Sequence, residues 1–213
     1  MLIDQLTASQ IAQFKKNGFI IFEQFLPSKH LNKIKKRIEP LFRGDFETGI
    51  EPDEWNWRYG RDNPQHTRQI CNAWKSDKLI REIVCHEAIG RVISQLMEWR
   101  GTRLIQDNVL WKPSGAQSLT FHQDASYDDW VVPQIMATCW IALDDTYVDS
   151  GTLEFVAGSH KWGLSIPPNN FMGEKNHKLH LEKYARKNKM TLNFTKVLVP
   201  AGGASFHHGL IWH

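Results

Sequence analysis

Cysteine is scarce: Cys71, Cys85 and Cys139 are the only three in 213 residues, and no two are spaced C-x-x-C. Neither a disulfide framework nor a zinc ribbon can be built from them. No apolar run approaches the ~20 residues of a membrane-spanning helix, and the opening residues carry no signal-peptide pattern. One-signed charge is also missing, since 26 basic and 23 acidic residues leave +3, interspersed along the chain. That balance argues against a reader of phosphate backbones. The expectation is a cytoplasmic protein with neither membrane nor nucleic acid as partner, and at this length one domain with additions fits better than two.

Histidine and tryptophan, by contrast, are plentiful, with ten of one and nine of the other. Leu6 to Gly18 predicts a short helix, with Thr7 as N-cap, Gln10 three residues on, and a glycine stop. Phe19 to Leu26 predicts a strand. From Ser28 a second helix follows, with Leu31, Ile34, Ile38 and Leu41 on one face. Between Arg43 and Gln65 the periodicity collapses into a long polar and aromatic loop holding Trp55, Trp57 and Tyr59, either a surface loop anchored by its tryptophans or a substrate lid. Ser76 to Trp99 then predicts one helix with an apolar stripe.

Past Gly101 the texture changes. Short strand-like pieces are expected at Arg103–Lys112, Leu119–Asp124, Met136–Leu143, Thr152–Val156, Met190–Val199 and Ala204–His213, suggesting a sandwich or barrel with the helices packed outside. The Lys-rich stretch His177 to Lys189 is expected to be a solvated helix or loop.

Within this half, His122 and Asp124 stand two residues apart, a spacing that on a strand puts both side chains on one face. A distant histidine would complete the set of two histidines and one carboxylate that binds non-haem Fe(II) and leaves positions open for cosubstrate and dioxygen. Composition alone gives about one H-x-[DE] by chance, and two occur. The second, His180-Leu-Glu182, lies in the polar stretch and reads as surface. For the distant histidine, residues 207 and 213 would share a face of one strand, so spacing leaves His207 and His213 both open.

Six motifs in order carry a family resemblance: Trp111-Lys-Pro113, Phe121-His-Gln-Asp124, Cys139-Trp-Ile-Ala-Leu-Asp-Asp145, Ser150-Gly-Thr-Leu-Glu154, Gly158-Ser-His-Lys-Trp-Gly163 and Phe206-His-His-Gly-Leu-Ile-Trp-His213. The sequence resembles the phytanoyl-CoA dioxygenase family of Fe(II)- and 2-oxoglutarate-dependent oxygenases. The resemblance implies an α+β, mainly β fold: a double-stranded β-helix, or jelly roll, over residues 101–213, with residues 1–100 as its helical N-terminal part, all in one domain. It implies His122, Asp124 and His213 as ligands of Fe(II), His213 closing the final motif. Trp140, Asn108 and Arg68 are carried over for 2-oxoglutarate. Oxidative decarboxylation to succinate and carbon dioxide would be coupled to hydroxylation by O2, and a carboxylate at 124 points away from halogenation.

In the family, a serine and an arginine shortly after the distal histidine bind the far carboxylate of 2-oxoglutarate. This chain ends at His213, so the expectation is part of a longer protein without the last strand of its jelly roll. Tyr127, Trp130 and Trp57 are the leading substrate-lining candidates, joined by Asp128, Asp129, Trp55, Arg58 and Arg61. The expected substrate is a small polar or anionic metabolite. Alternatives are an acyl-CoA or natural-product hydroxylase, a noncatalytic metal-binding jelly roll, and a zinc hydrolase.

Overall fold

The computed structural model describes residues 3–172 and 176–213. Helix α1, Ala8–Asn17, is closed by a complete capping box: the Thr7 hydroxyl accepts from the Gln10 amide at 3.2 Å while the Gln10 side chain accepts from the Thr7 amide at 2.8 Å. Such a cap is worth about 1 kcal/mol. Gly18, at φ +83°, turns the chain out of the helix where a side chain would be strained. Strand β1, Phe19–Phe22, follows, and then α2, Ser28–Phe42, which buries Leu31, Ile34 and Leu41.

The long loop is pinned down rather than free. Its residues Glu54–Trp55 form β2, paired with β3, Arg68–Cys71, which pairs in turn with β4, Asn108–Trp111. Trp57 is 4% exposed in the core under α2, so the loop is anchored by its tryptophans.

The single helix expected over Ser76–Trp99 is two: α3, Lys78–Val84, and α4, Glu87–Met97. The break has a local cause. His86 adopts an extended backbone and its Nδ1 accepts from the Ala88 amide, starting a new helix. Asp77, not Ser76, caps α3, because its carboxylate accepts from both the Leu79 and Ile80 amides at 3.0 Å.

In the second half, β5 spans Ala137–Ile141, β6 Glu154–Val156, α5 Leu179–Asn188, β7 Phe194–Lys196 and β8 Ala204–His208. Counted over all the described elements, α-helical residues outnumber strand residues, so the fold is a mixture of α and β rather than mainly β. Leu119–Asp124 is not a strand: only Leu119 makes a bridge, to Met172, and Asp124 opens a 3-10 turn. The expected strand 204–213 stops at His208 and turns at Gly209, so residues 207 and 213 do not share one strand. The stretch 177–189 is less solvated than expected, since α5 buries Leu181 and Ala185.

Among the described residues three sheets result, ordered β1-β8-β5, β2-β3-β4 and β6-β7, all antiparallel. Register sorts the first sheet into two faces. Ile20, Phe206 and Cys139 align across it, as do Phe22, Ala204 and Ile141, and they pack on α1 and α4 through Phe14, Ile89, Val92 and Leu96. The other face carries Phe19, His207 and Thr138 on one rung and Ile21, Ser205 and Trp140 on the next. That inner face holds the site. Among the described residues no helix is long and apolar enough to cross a membrane.

Candidate metal centre

His122 and His213, distant in the chain, are brought together by their backbones. The His122 amide donates to the His213 carbonyl at 2.9 Å, and the His213 amide donates back at 3.0 Å. Their rings stand 4.4 Å apart, centroid to centroid. Each ring is then oriented by a main-chain carbonyl: Nδ1 of His122 lies 2.8 Å from the Thr120 oxygen, and Nδ1 of His213 lies 3.2 Å from that of Ile211. With Nδ1–H donating, Nε2 of each ring is left to face the site, the arrangement a metal-binding histidine needs.

Both Nε2 atoms point at the same carboxylate oxygen. Oδ1 of Asp124 is 3.5 Å from Nε2 of His122 and 3.4 Å from Nε2 of His213. The three donor atoms lie within 4.8 Å of one another. Asp124 reaches this place because its turn is tied to the end of β8, the Ala125 amide donating to the Gly209 carbonyl at 3.0 Å. The second oxygen, Oδ2, meets Thr138 Oγ1 at 2.5 Å and Nε2 of His207 at 3.1 Å.

The electrostatics are those of one carboxylate buried against three imidazoles. Burial alone would push the Asp124 carboxyl up, yet the positive charge of His213 and hydrogen bonds from His122, His207 and His213 hold it well below its ordinary value. Burial opposes protonation of His213 as well, but the Asp124 carboxylate wins and raises its pKa. His122 is lowered by burial and by the charge of His213, and His207 chiefly by burial. Two imidazole nitrogens and one carboxylate oxygen converge, and a divalent ion bound there would take the place of protons on these groups. The donor set, two nitrogens and one oxygen on one side, fits Fe(II) with open positions opposite.

The remaining expected site residues divide by face. Trp140 sits on the inner face, two residues beyond Thr138 on β5, packed near Phe155 and Ala142. In the second sheet Asn108 pairs with Cys71 and Leu110 with Gln69, while Arg68 pairs with Trp111 and Ile70 with Val109. Adjacent residues alternate faces, so Arg68 is opposite to Asn108. Asn108 lines the same large concavity, of about 2210 Å³, as His122, Asp124 and His213. Arg68 instead lies between the rings of Trp57 and Trp111, at 3.9 and 4.2 Å, and faces a separate pocket of about 500 Å³. The structure does not bring Arg68 to the metal-facing side. Gln69 occupies that side and donates from Nε2 to Asn108 Oδ1 at 2.9 Å.

Of the substrate-lining candidates, Tyr127 stands at the metal residues, its ring 5.6 Å from that of His122. Trp130 is 63% exposed on the rim, and Asp128 is buried nearby, its carboxyl raised by burial and by the Asp124 charge. Trp57 is core of the anchored loop, donating to the Asn63 carbonyl, and lines the separate pocket. Trp55 packs on Phe46 and under Arg58, Arg61 pairs with Asp62, and Asp129 is exposed. Phe171 was not foreseen: its ring lies edge-on 4.9 Å from His122 and 5.5 Å from Tyr127. Nothing in its own aperiodic stretch marks it; it arrives because its carbonyl accepts from the Thr120 amide. His180 contacts the Ile166 carbonyl and the Trp212 ring, away from any ligand set.

The family model for phytanoyl-CoA dioxygenase (PhyH) matches residues 14–213. Dioxygenase olcK of Penicillium canescens is 24% identical over 156 residues, covering 69% of this chain and 51% of its own length, so the chain spans about half of that relative. Among solved structures, the non-heme alpha ketoglutarate dependent carbocyclase SnoK from nogalamycin biosynthesis superposes with a TM-score of 0.70 at 20% identity, over 100% of this chain and 78% of the other. EctD from S. alaskensis, solved with 2-oxoglutarate and 5-hydroxyectoine, gives 0.73 at 14% identity, over 97% and 69%. With a family model spanning nearly all of it and the donor set in place, this chain belongs to the phytanoyl-CoA dioxygenase family.

Proposed function

We propose that this protein is a non-haem Fe(II)- and 2-oxoglutarate-dependent dioxygenase that hydroxylates a small polar or anionic metabolite, built on a double-stranded β-helix. The observation that carries the proposal is the convergence of His122 Nε2, His213 Nε2 and Asp124 Oδ1, with each ring fixed by a backbone carbonyl. Iron bound there supplies the redox chemistry that couples decarboxylation of 2-oxoglutarate, giving succinate and carbon dioxide, to insertion of oxygen from O2.

The chain's own groups bind, orient and shield. Trp140 and Asn108 face the concavity and would hold the cosubstrate. Tyr127 and Phe171 wall one side of the His122 ring and keep water off it. Support for a polar or anionic substrate comes from Lys112 and Asp128, both lining the same concavity. Lys112 has its ammonium on the Gly151 carbonyl at 3.0 Å, no ion-pair partner among the described residues, and a pKa lowered by burial. Cys71, Cys85 and Cys139 are free thiols, in keeping with a cytoplasmic location.

The test is succinate release and oxygen uptake by protein loaded with Fe(II) and given 2-oxoglutarate. Slow uncoupled turnover that zinc inhibits, and that Asp124→Ala abolishes, is expected. Equal succinate formation in Asp124→Ala would overturn the proposal.

A further inference from the structure

His207 contacts Asp124 as closely as any histidine of the cluster, yet it lies outside the set of converging donors. Its Nε2 meets Oδ2, whereas His122 and His213 both meet Oδ1. An ionised carboxylate only accepts, so both Thr138 and His207 donate to Oδ2. For His207 the donor is then Nε2, which agrees with Nδ1 being buried without a partner. Both donors come from a single rung of the inner sheet face, because Thr138 on β5 and His207 on β8 are cross-strand partners. His207 is 1% exposed and its ring packs 5.0 Å from that of Phe155, so the rung is held within the core.

We propose that Thr138 and His207 act as a clamp that keeps Asp124 a one-oxygen ligand. With Oδ2 tied to the sheet, only Oδ1 is offered to the metal. For the carboxylate to swing and bind through both oxygens, Oδ2 would have to abandon two charge-assisted hydrogen bonds and strand two buried donors. A second oxygen on the metal would occupy one of the positions a bidentate 2-oxo acid and dioxygen require. The clamp thus protects vacancy at the metal, and His207 is a positioning residue and not a ligand. This inference rests on the proposed metal centre.

The experiment uses Co(II) as an oxygen-stable, coloured stand-in for Fe(II), with visible spectra and calorimetric titration of Co(II) and then 2-oxoglutarate. Thr138→Val and Thr138→Val/His207→Leu should still bind Co(II), but with a spectrum changed toward higher coordination number and with 2-oxoglutarate affinity about tenfold or more weaker, the scale at which outer-shell partners act. Thr138→Ser and His207→Gln, which keep a donor, should restore the wild-type spectrum and affinity. Thermal melts guard against misfolding, and Thr138→Val, nearly isosteric, carries the test if the double variant fails to fold. Wild-type spectra and 2-oxoglutarate affinity in folded Thr138→Val would overturn the clamp. So would loss of Co(II) binding in His207→Gln equal to that in His122→Ala, which would make His207 a ligand. Wild-type protein that takes up no Co(II) would overturn the metal centre and the clamp together, whereas binding by the wild type with unchanged variants overturns the clamp alone.

Discussion

His122 and His213 exchange two backbone hydrogen bonds, at 2.9 and 3.0 Å, so the two imidazoles of the candidate metal centre are neighbours by main-chain pairing alone. The site is therefore preorganised by the fold. Replacing either ring by alanine leaves that pairing intact. His122→Ala and His213→Ala should keep the circular dichroism spectrum and lose Fe(II) affinity by more than about a hundredfold, beyond the range of outer-shell substitutions. Calorimetry of both variants checks this.

Trp140 and Arg68 should behave differently, because one faces the metal side of its sheet and the other faces away. Trp140→Ala is expected to weaken 2-oxoglutarate binding about tenfold, the value of one hydrogen bond to a charged group, with metal affinity unchanged. Arg68→Ala should leave 2-oxoglutarate affinity within about twofold but lower stability by about 1 kcal/mol, through loss of its stacking between Trp57 and Trp111. Titration and chemical denaturation of both variants separate the two roles.

Asp107 supplies a pH dependence. It is buried, its Oδ1 accepts from the Trp74 amide at 3.0 Å, Oδ2 has no partner, and burial pushes the carboxyl from 3.8 up to about 6. The folded protein thus holds a proton that the unfolded chain has lost between those values. Stability falls as pH rises through that window and stays at the lower level above it, a difference of about 3 kcal/mol. Asp107→Asn should raise the melting temperature at pH 7 and give no advantage below pH ~4. Melts across pH check the crossover.

Gly209 ends β8 where the chain turns toward His213, its amide donating to Met136 and its carbonyl accepting from Ala125 beside Asp124. A Cβ there would collide with the Met136 side chain and crowd its carbonyl. Gly209→Ala should cost about 2 kcal/mol by overpacking and weaken metal binding, since the turn that aims Asp124 moves with it. A variant as stable as wild type, with equal metal affinity, would contradict this.

Parts of the site were legible in the sequence for reasons the structure revises. The two-residue spacing of His122 and Asp124 does place them together, but through a main-chain pair followed by a 3-10 turn, not along a strand. The choice between His207 and His213 could not be made from spacing, because the turn at Gly209 that separates them depends on contacts with Met136 and Ala125. Arg68, carried over from the family resemblance, faces away from Asn108 for a reason of register: in a strand one residue decides the face, and Gln69 lies beside Asn108. Phe171 was invisible because a loop contact at Thr120, not local periodicity, delivers it. Helix α1 was read correctly since its capping box and glycine stop are local chemistry.

The central claim, that His122, Asp124 and His213 hold an iron that chelates 2-oxoglutarate, is tested most directly by anaerobic titration with Fe(II) followed by 2-oxoglutarate. A weak visible metal-to-ligand charge-transfer band that saturates at one equivalent of iron, and is absent in Asp124→Ala, is the predicted result. Iron binding with no such band at saturating 2-oxoglutarate would contradict the account.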